Sequence, residues 1–245
     1  MSSGGHAVEP EFSREAYGAM YAAISPQWVA AGLFSHYVIL PVYDRSVIET
    51  WFSLGFGLDW TYAVRDTSPI VQKYSSADLE IEFAESQDRE TILKLLDDLY
   101  RYHAGAPCYL PYVPDTATGF HTDNEKAFND PATKYWVARH QEKTVGVIVV
   151  TLSSVDSHSL SVAKPERCPY IHLAFTSEMT RGIGVGTALL NQALAWARDE
   201  GFSCCSVEWH TANLVAANFW ERCGFHPATY ALMRQIDERI AWAHS

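Results

Sequence analysis

Residues 181–186 read Arg-Gly-Ile-Gly-Val-Gly, and these alternating glycines behind an arginine constrain the chain more than any other feature. An apolar strand-like run, Tyr170–Phe175, precedes them, and an amphipathic helix candidate, Thr187–Arg198, follows. A strand, a glycine turn and a helix together present several orphan backbone N–H groups at a helix N-terminus. That geometry binds phosphate, because the amides and the helix dipole both favour negative charge. A P-loop needs Gly-Lys-Ser/Thr, and after Gly186 there is only Thr187. A dinucleotide fingerprint needs G-x-G-x-x-G early in a βαβ unit, whereas these glycines lie late in the chain. The plain alternative is an ordinary βαβ turn followed by a glycine-capped helix.

Arg181, Gly184 and Gly186 satisfy the spacing [RQ]-x-x-G-x-[GA]. Downstream, Asn213, Ala216, Trp220 and Gly224-Phe225 form a second pattern: asparagine, alanine three on, an aromatic seven on, Gly-Phe after it. The pair of motifs, with one helix and one strand between, resembles the GCN5-related N-acetyltransferases (GNAT family). The matching order of elements extends over about residues 78–236. The resemblance implies an α+β fold, a mixed twisted sheet flanked by helices and splayed at a cleft for acetyl-CoA. It also implies an acetyl-CoA-dependent N-acetyltransferase.

The 245 residues are 48% hydrophobic, enough for a sizeable core, and no apolar run reaches membrane-helix length. The first ten residues lack the apolar stretch of a secretory signal. Five cysteines with no C-x-x-C point to free thiols in a reducing, cytoplasmic setting and away from a zinc site. A net charge of −11 argues against nucleic acid as partner and is compatible with a cationic acceptor, or with plain solubility.

An internal echo divides the chain. Pro41–Phe56 has the length of His210–Phe225, with Asp44 falling on Asn213, Trp51 on Trp220 and Gly55-Phe56 on Gly224-Phe225. A helix candidate (Arg14–Ala31, followed by Gly32), a strand (Tyr37–Leu40), a short helix (Ser46–Leu54) and a strand (Asp59–Val64) surround it. Residues 1–66 thus read as a degenerate, partial copy without a phosphate loop, 67–78 as a linker and 79–245 as the acetyl-CoA-binding domain. Half a sheet leaves an edge that must be covered, so the first segment is expected to pack on the second, in a monomer or a homodimer. Residues 104–133, with Tyr109, Tyr112, Phe120 and Phe128, are too long for a bare loop and are expected to carry a helix that lines the substrate site. Tyr135–His140 and Val145–Leu152 read as a hairpin, and Ser153–Pro169 as a polar loop.

The resemblance assigns cofactor binding to Arg181, Gly182, Ile183, Gly184, Val185, Gly186 and Thr187. It assigns pantetheine contacts to the backbone of Ala174, Phe175 and Thr176 and to Asn213 and Asn218; Asn213 also reads as a helix cap. Direct acetyl transfer needs a base. Family members often carry a glutamate where this chain has Tyr170, so His172, two residues on and thus on the same strand face, is the candidate. Glu208 is its rival, and also reads as a solvated strand residue; His210 and Glu178 are weaker alternatives. The family's tyrosine acid is replaced by Trp220, whose indole cannot protonate a thiolate; Tyr230 is the candidate to replace it. The expected acceptor is a small, cationic amine. A protein or peptide amine, or a catalytically weak acyl-CoA-binding module, are the other readings, and no metal is expected.

Overall fold

Strands that alternate β-branched and aromatic residues build one continuous sheet in the computed structural model, which describes residues 8–71, 78–152 and 168–244. The strands are β1 (Ser35–Pro41), β2 (Gly57–Asp66), β3 (Leu79–Phe83), β4 (Thr133–His140), β5 (Lys143–Thr151), β6 (Tyr170–Thr176), β7 (Cys204–His210) and β8 (His226–Gln235). The helices are α1 (Ser13–Ala30), α2 (Arg45–Ser53), α3 (Arg89–Ala104), α4 (Pro114–Phe128), α5 (Val185–Asp199) and α6 (Leu214–Arg222). The spatial order is β1-β8-β2-β7-β6-β5-β4-β3. Every neighbouring pair is antiparallel except β6–β7, the pair that needs a helical crossover, which α5 provides.

Neighbouring residues of β5 show how the layers form. Ile148 and Val150 join Leu189, Leu190 and Leu194 of α5 and Trp220 of α6 in one core cluster. Val147 and Val149 face the other way, with Ile92, Leu95 and Leu96 of α3. Period-two alternation on a sheet with helices on both faces produces the two cores. Gly146 sets the depth of the first. A Cβ there would stand 2.9 Å from Val185 Cγ1 and 3.1 Å from Leu189 Cδ1, so glycine lets α5 lie close on β5.

The N-terminal segment does not form a sheet of its own. Its strand β2 lies between β7 and β8, and β1 pairs with the far side of β8. Residues 67–70 are then tied to α5: Asn191 bonds both the N–H and the C=O of Ile70, at 2.8 and 3.0 Å. Residues 72–77 of the expected linker, and 153–167 of the expected polar loop, lie outside the described residues.

One constant shift in numbering carries β1 onto β7, α2 onto α6 and β2 onto β8, end to end. Asp44 and Asn213 cap their helices alike, each accepting from the backbone N–H three residues on at 3.1 Å. The ladders obey the shift too: Leu40 opposite Tyr230 becomes Trp209 opposite Thr61. Thr61 faces Tyr230, its own counterpart, so an internal two-fold axis passes through that pair, normal to the sheet.

The arginines Arg65 and Arg234 are counterparts as well, each beside the other half's glycine turn, Gly224 and Gly55. Only Arg65 is buried, and it donates to the carbonyls of Cys223, Asp66 and Ser68. Arg65→Ala leaves the buried Cys223 carbonyl without its charged donor and is expected to cost about 1–3 kcal/mol. Arg234→Ala is expected to cost well under that in the same urea or thermal melt, and equal losses would contradict the asymmetry.

Candidate active site

Strands β6 and β7 are hydrogen-bonded at Tyr170–Ser206 and Ile171–Val207, and then part. Each is held from its outer side. β5 pairs with β6 as far as Thr176, and β2 pairs with β7 as far as His210. The gap therefore cannot close by relaxation of either strand. Beyond Ile171, the side of β6 that faces the gap has no strand partner, so the backbone of Ala174, Phe175 and Thr176 offers a strand edge to an extended ligand bearing amides.

A β-bulge opens the gap. Val150 pairs with Ile171 and Val149 with Leu173, so His172 is the extra residue of β6. Bulges re-aim side chains and cluster beside active sites. The bulge breaks the alternation after His172: Ile171 and Ala174 join one core and Leu173 and Phe175 the other. Tyr170 is buried, and His172 is exposed, its ring 5.9 Å from that of Tyr170. Protein crowds His172 although it reaches solvent, and the desolvation lowers its pKa below the ordinary 6.5.

The phosphate end stands at the mouth of the gap. Gly182 and Gly184 have φ of 87° and 95°, left-handed conformations that favour glycine. Gly184 is the N-cap of α5 and no side chain caps that end, which leaves the first-turn amides of Val185, Gly186 and Thr187 for an anion. Arg181 lies over the ring of Tyr102 at 5.1 Å and near Glu178 at 3.6 Å. Gly186 is explained differently from its neighbours. A Cβ there would meet the Phe219 ring at 3.3 Å, so the third glycine serves the packing of α5 on α6. These residues fit the pyrophosphate and pantetheine of acetyl-CoA.

The opposite wall is β7. Glu208 is partly buried, not a solvated strand residue. Burial raises its pKa above the usual 4.5, against the opposing hydrogen bond from Tyr170. His210 pairs with Asp59 of β2 at 3.2 Å, and the Trp60 ring meets the His210 ring edge-on at 5.4 Å. Asn213 caps α6 and its Nδ2 donates to His103 Nε2 of α3 at 3.0 Å. His103 has a lowered pKa, chiefly from burial and secondarily from the charge of His210. Sequence reasoning missed Asp59, Trp60 and His103, which sit far along the chain from any motif.

Other expected residues fall elsewhere. Tyr230 lies on β8, with β2 between it and β7, and packs on the cluster of Tyr17, Trp51 and Leu232. About 10 Å of sheet separates it from the β7 wall, so the structure does not bring it to His172 and Glu208. Trp220 is buried in edge-on contact with Phe219 and Phe225. Asn218 is exposed on α6. Residues 104–133 do carry a helix, α4, but Phe120 stacks on Tyr100 at 3.6 Å and Phe128 meets Tyr135 at 4.8 Å. Those aromatics fasten α4 to α3 and the sheet. A broad depression lined by Glu82, Asp88, Arg139 and Lys143 belongs to the β3–β4 end, away from this chemistry. Among the described residues no His/Cys/Asp/Glu group could hold a metal ion, and no helix is long and apolar enough to cross a membrane.

A glycine-led helix N-terminus beside a splayed parallel pair defines a cleft in an α+β fold, open to a ligand with an anionic end and an extended arm. Residues 91–225 match the model of the acetyltransferase (GNAT) family, and the chain belongs to that family. Human N-acetyltransferase 8 is 30% identical over 115 residues, covering 46% of this chain and 48% of that protein. Human N-acetyltransferase 8B is 32% identical over 91 residues, 37% of each. The chain thus spans less than half the length of these curated relatives. Among solved structures, a functionally unknown conserved protein from Staphylococcus epidermidis shares the fold over 94% of this chain and 90% of its own. Its TM-score is 0.59 at 12% identity. An aminoglycoside N-acetyltransferase in complex with CoA matches 65% of this chain and 93% of its own, with a TM-score of 0.50 at 16% identity.

Glu208→Gln tests the electrostatics of the wall. A carboxyl group whose folded pKa is raised stabilises fully below its unfolded pKa, and that stability is lost as pH rises through the folded value. The glutamine variant is therefore expected to melt a few degrees higher than the parent at pH 7–8. The gap should close below about pH 4.5, and a lower melting point at pH 8 would contradict the burial argument.

Proposed function

We propose that this chain is an acetyl-CoA-dependent N-acetyltransferase that transfers directly to a small, cationic amine. The observation that carries the reading is the splayed β6–β7 gap with the glycine-led N-terminus of α5 at its mouth. Phosphates bind the amides of Val185, Gly186 and Thr187, with Arg181 beside them. The pantetheine arm pairs with the backbone of Ala174, Phe175 and Thr176, with Asn213 at the start of α6 beside it. Free β6 amides polarise the thioester carbonyl as its oxygen gains charge. Glu208 on the opposite wall removes the amine proton. His172, neutral at pH 7 through its lowered pKa, is the second acceptor.

The cationic acceptor is supported by the carboxylates Glu208 and Asp59 at the β7 wall and by the net charge of −11. A structural neighbour that is an aminoglycoside N-acetyltransferase points the same way. A protein or peptide amine is the second acceptor class. Residues 1–66 are proposed to be a degenerate partial copy of the acetyltransferase unit, on the strength of the internal two-fold axis. The counterparts of residues 181–186 are Phe12–Tyr17, which contain no glycine, so one cofactor site per chain follows.

Calorimetry with acetyl-CoA is expected to give one site, and Gly184→Val, which forces a β-branched residue into a left-handed turn, is expected to abolish the heat. Unchanged affinity in that variant would sink the loop assignment, and no binding by the parent would favour an interaction module. For the base, Glu208→Gln is expected to lower turnover about 10²–10⁴-fold with acetyl-CoA affinity kept. His172→Ala is expected to lower it less than tenfold. The reverse ranking would transfer the base role to His172.

A further inference from the structure

We propose that Asp59 and His210 form a proton-accepting dyad of this cleft, so that the N-terminal segment supplies part of the active site. The inference rests on the acetyltransferase reading above and extends it to residues outside both motifs.

Three observations meet here. First, His210 lies at the end of β7, past the point where β6 and β7 part, two residues beyond Glu208 and on the same face of the strand. Second, the ring is oriented. Its Nε2 is 3.2 Å from Asp59 Oδ1, and both side chains are largely buried, with 12% and 14% exposure. Its Nδ1 is buried without a hydrogen-bond partner among the described residues, as are Glu208 Oε2 and Thr211 Oγ1 beside it. Buried polar atoms are seldom left unsatisfied, so three on neighbouring residues mark a place built for exchangeable groups. An Asp-held imidazole with Nε2–H bound keeps the Nδ1 lone pair for a proton, the role logic of an oriented base.

Third, the internal two-fold axis supplies a comparison within one chain. Asp59 is the extra residue of a bulge in β2, and Ala228 is the extra residue of the matching bulge in β8. The counterpart of His210 is Pro41, and that of Glu208 is Ile39. The backbone device is duplicated, whereas the acid–imidazole pair occurs only in the copy that borders the β6–β7 gap. A purely structural pair would have no reason to follow the gap.

The chemistry balances as follows. An acceptor entering as an ammonium ion loses two protons as its nitrogen bonds to the acetyl carbon and the C–S bond breaks. One proton ends on the CoA sulfur. The other passes to Glu208, then by way of a water molecule to His210 Nδ1 and out to solvent, with Asp59 stabilising the imidazolium. The titratable groups around His210 are Asp59 from β2, Glu208 two residues back on its own strand and His103 from α3; Tyr170 of β6 faces Glu208. Tyr37 of β1 lies within electrostatic reach of Asp59. Burial raises the Asp59 pKa and the His210 charge opposes the rise, as a coupled pair requires.

The test has two arms. Nitrogen-15 NMR of the free protein reads the His210 tautomer directly. The expected state is Nε2–H in the parent, with the Nδ1–H form gained in Asp59→Asn. An Nδ1–H tautomer in the parent, or a tautomer indifferent to Asp59, overturns the dyad. In the second arm, thiol release from acetyl-CoA is followed with spermidine and with kanamycin, beside calorimetry with acetyl-CoA. His210→Gln is expected to lower kcat about 100-fold with acetyl-CoA affinity unchanged. Asp59→Asn is expected to lower kcat in the same direction, again with acetyl-CoA affinity unchanged. An Asp59→Asn variant that turns over like the parent makes the pair structural and overturns the proposal. Failure to bind acetyl-CoA would instead sink the acetyltransferase reading, while the NMR arm still decides the dyad on the free protein.

Discussion

The parallel pair β6–β7 is hydrogen-bonded through Tyr170–Ser206 and Ile171–Val207 and then abandoned. A sheet that gives up backbone hydrogen bonds must satisfy those groups elsewhere. Here the loss is confined to the inner edges, because β5 and β2 hold the outer ones. The His172 bulge absorbs the change of direction on one strand. The Asp59 bulge delivers a carboxylate to the other from a neighbouring strand. The cleft is thus a rigid fault within a sheet rather than a gap between moving parts, which suits a reaction that depends on placing an amine against a thioester.

The phosphate end and the chemical end rely on different physics. At the mouth, Gly182 and Gly184 take backbone conformations that side chains resist, and the amides of α5 do the binding. Along β7, burial does the tuning. It raises the carboxyls of Glu208 and Asp59 and lowers the imidazole of His103. All three changes favour the neutral forms, so charge is admitted only where a partner waits for it.

Much of this was legible in the residues. The strand–glycine–helix unit, the echo of Pro41–Phe56 in His210–Phe225 and the helix within residues 104–133 follow from spacing, because local periodicity carries them. Features fixed by non-local pairing were hidden. The insertion of β2 between β7 and β8 depends on which strand edges meet. The bulge at His172 exists only relative to β5. The contact of Gly146 with α5, and that of Gly186 with Phe219, are tertiary approaches in which glycine serves packing rather than phosphate. Tyr230 was placed in the site by chemistry alone, and one intervening strand removes it.

The position of β2 also bears on how the chain assembles. On the ribosome β2 is made among the first strands, yet both of its neighbours, β7 and β8, are among the last. Its pairings with residues such as His210 and Met233 close loops of most of the chain's length, the kind of contact that slows folding. An early strand thus keeps two open edges until β7 and β8, both later in the chain, supply its partners. The β7 wall of the cleft is therefore braced only once the chain's longest-range pairings have formed.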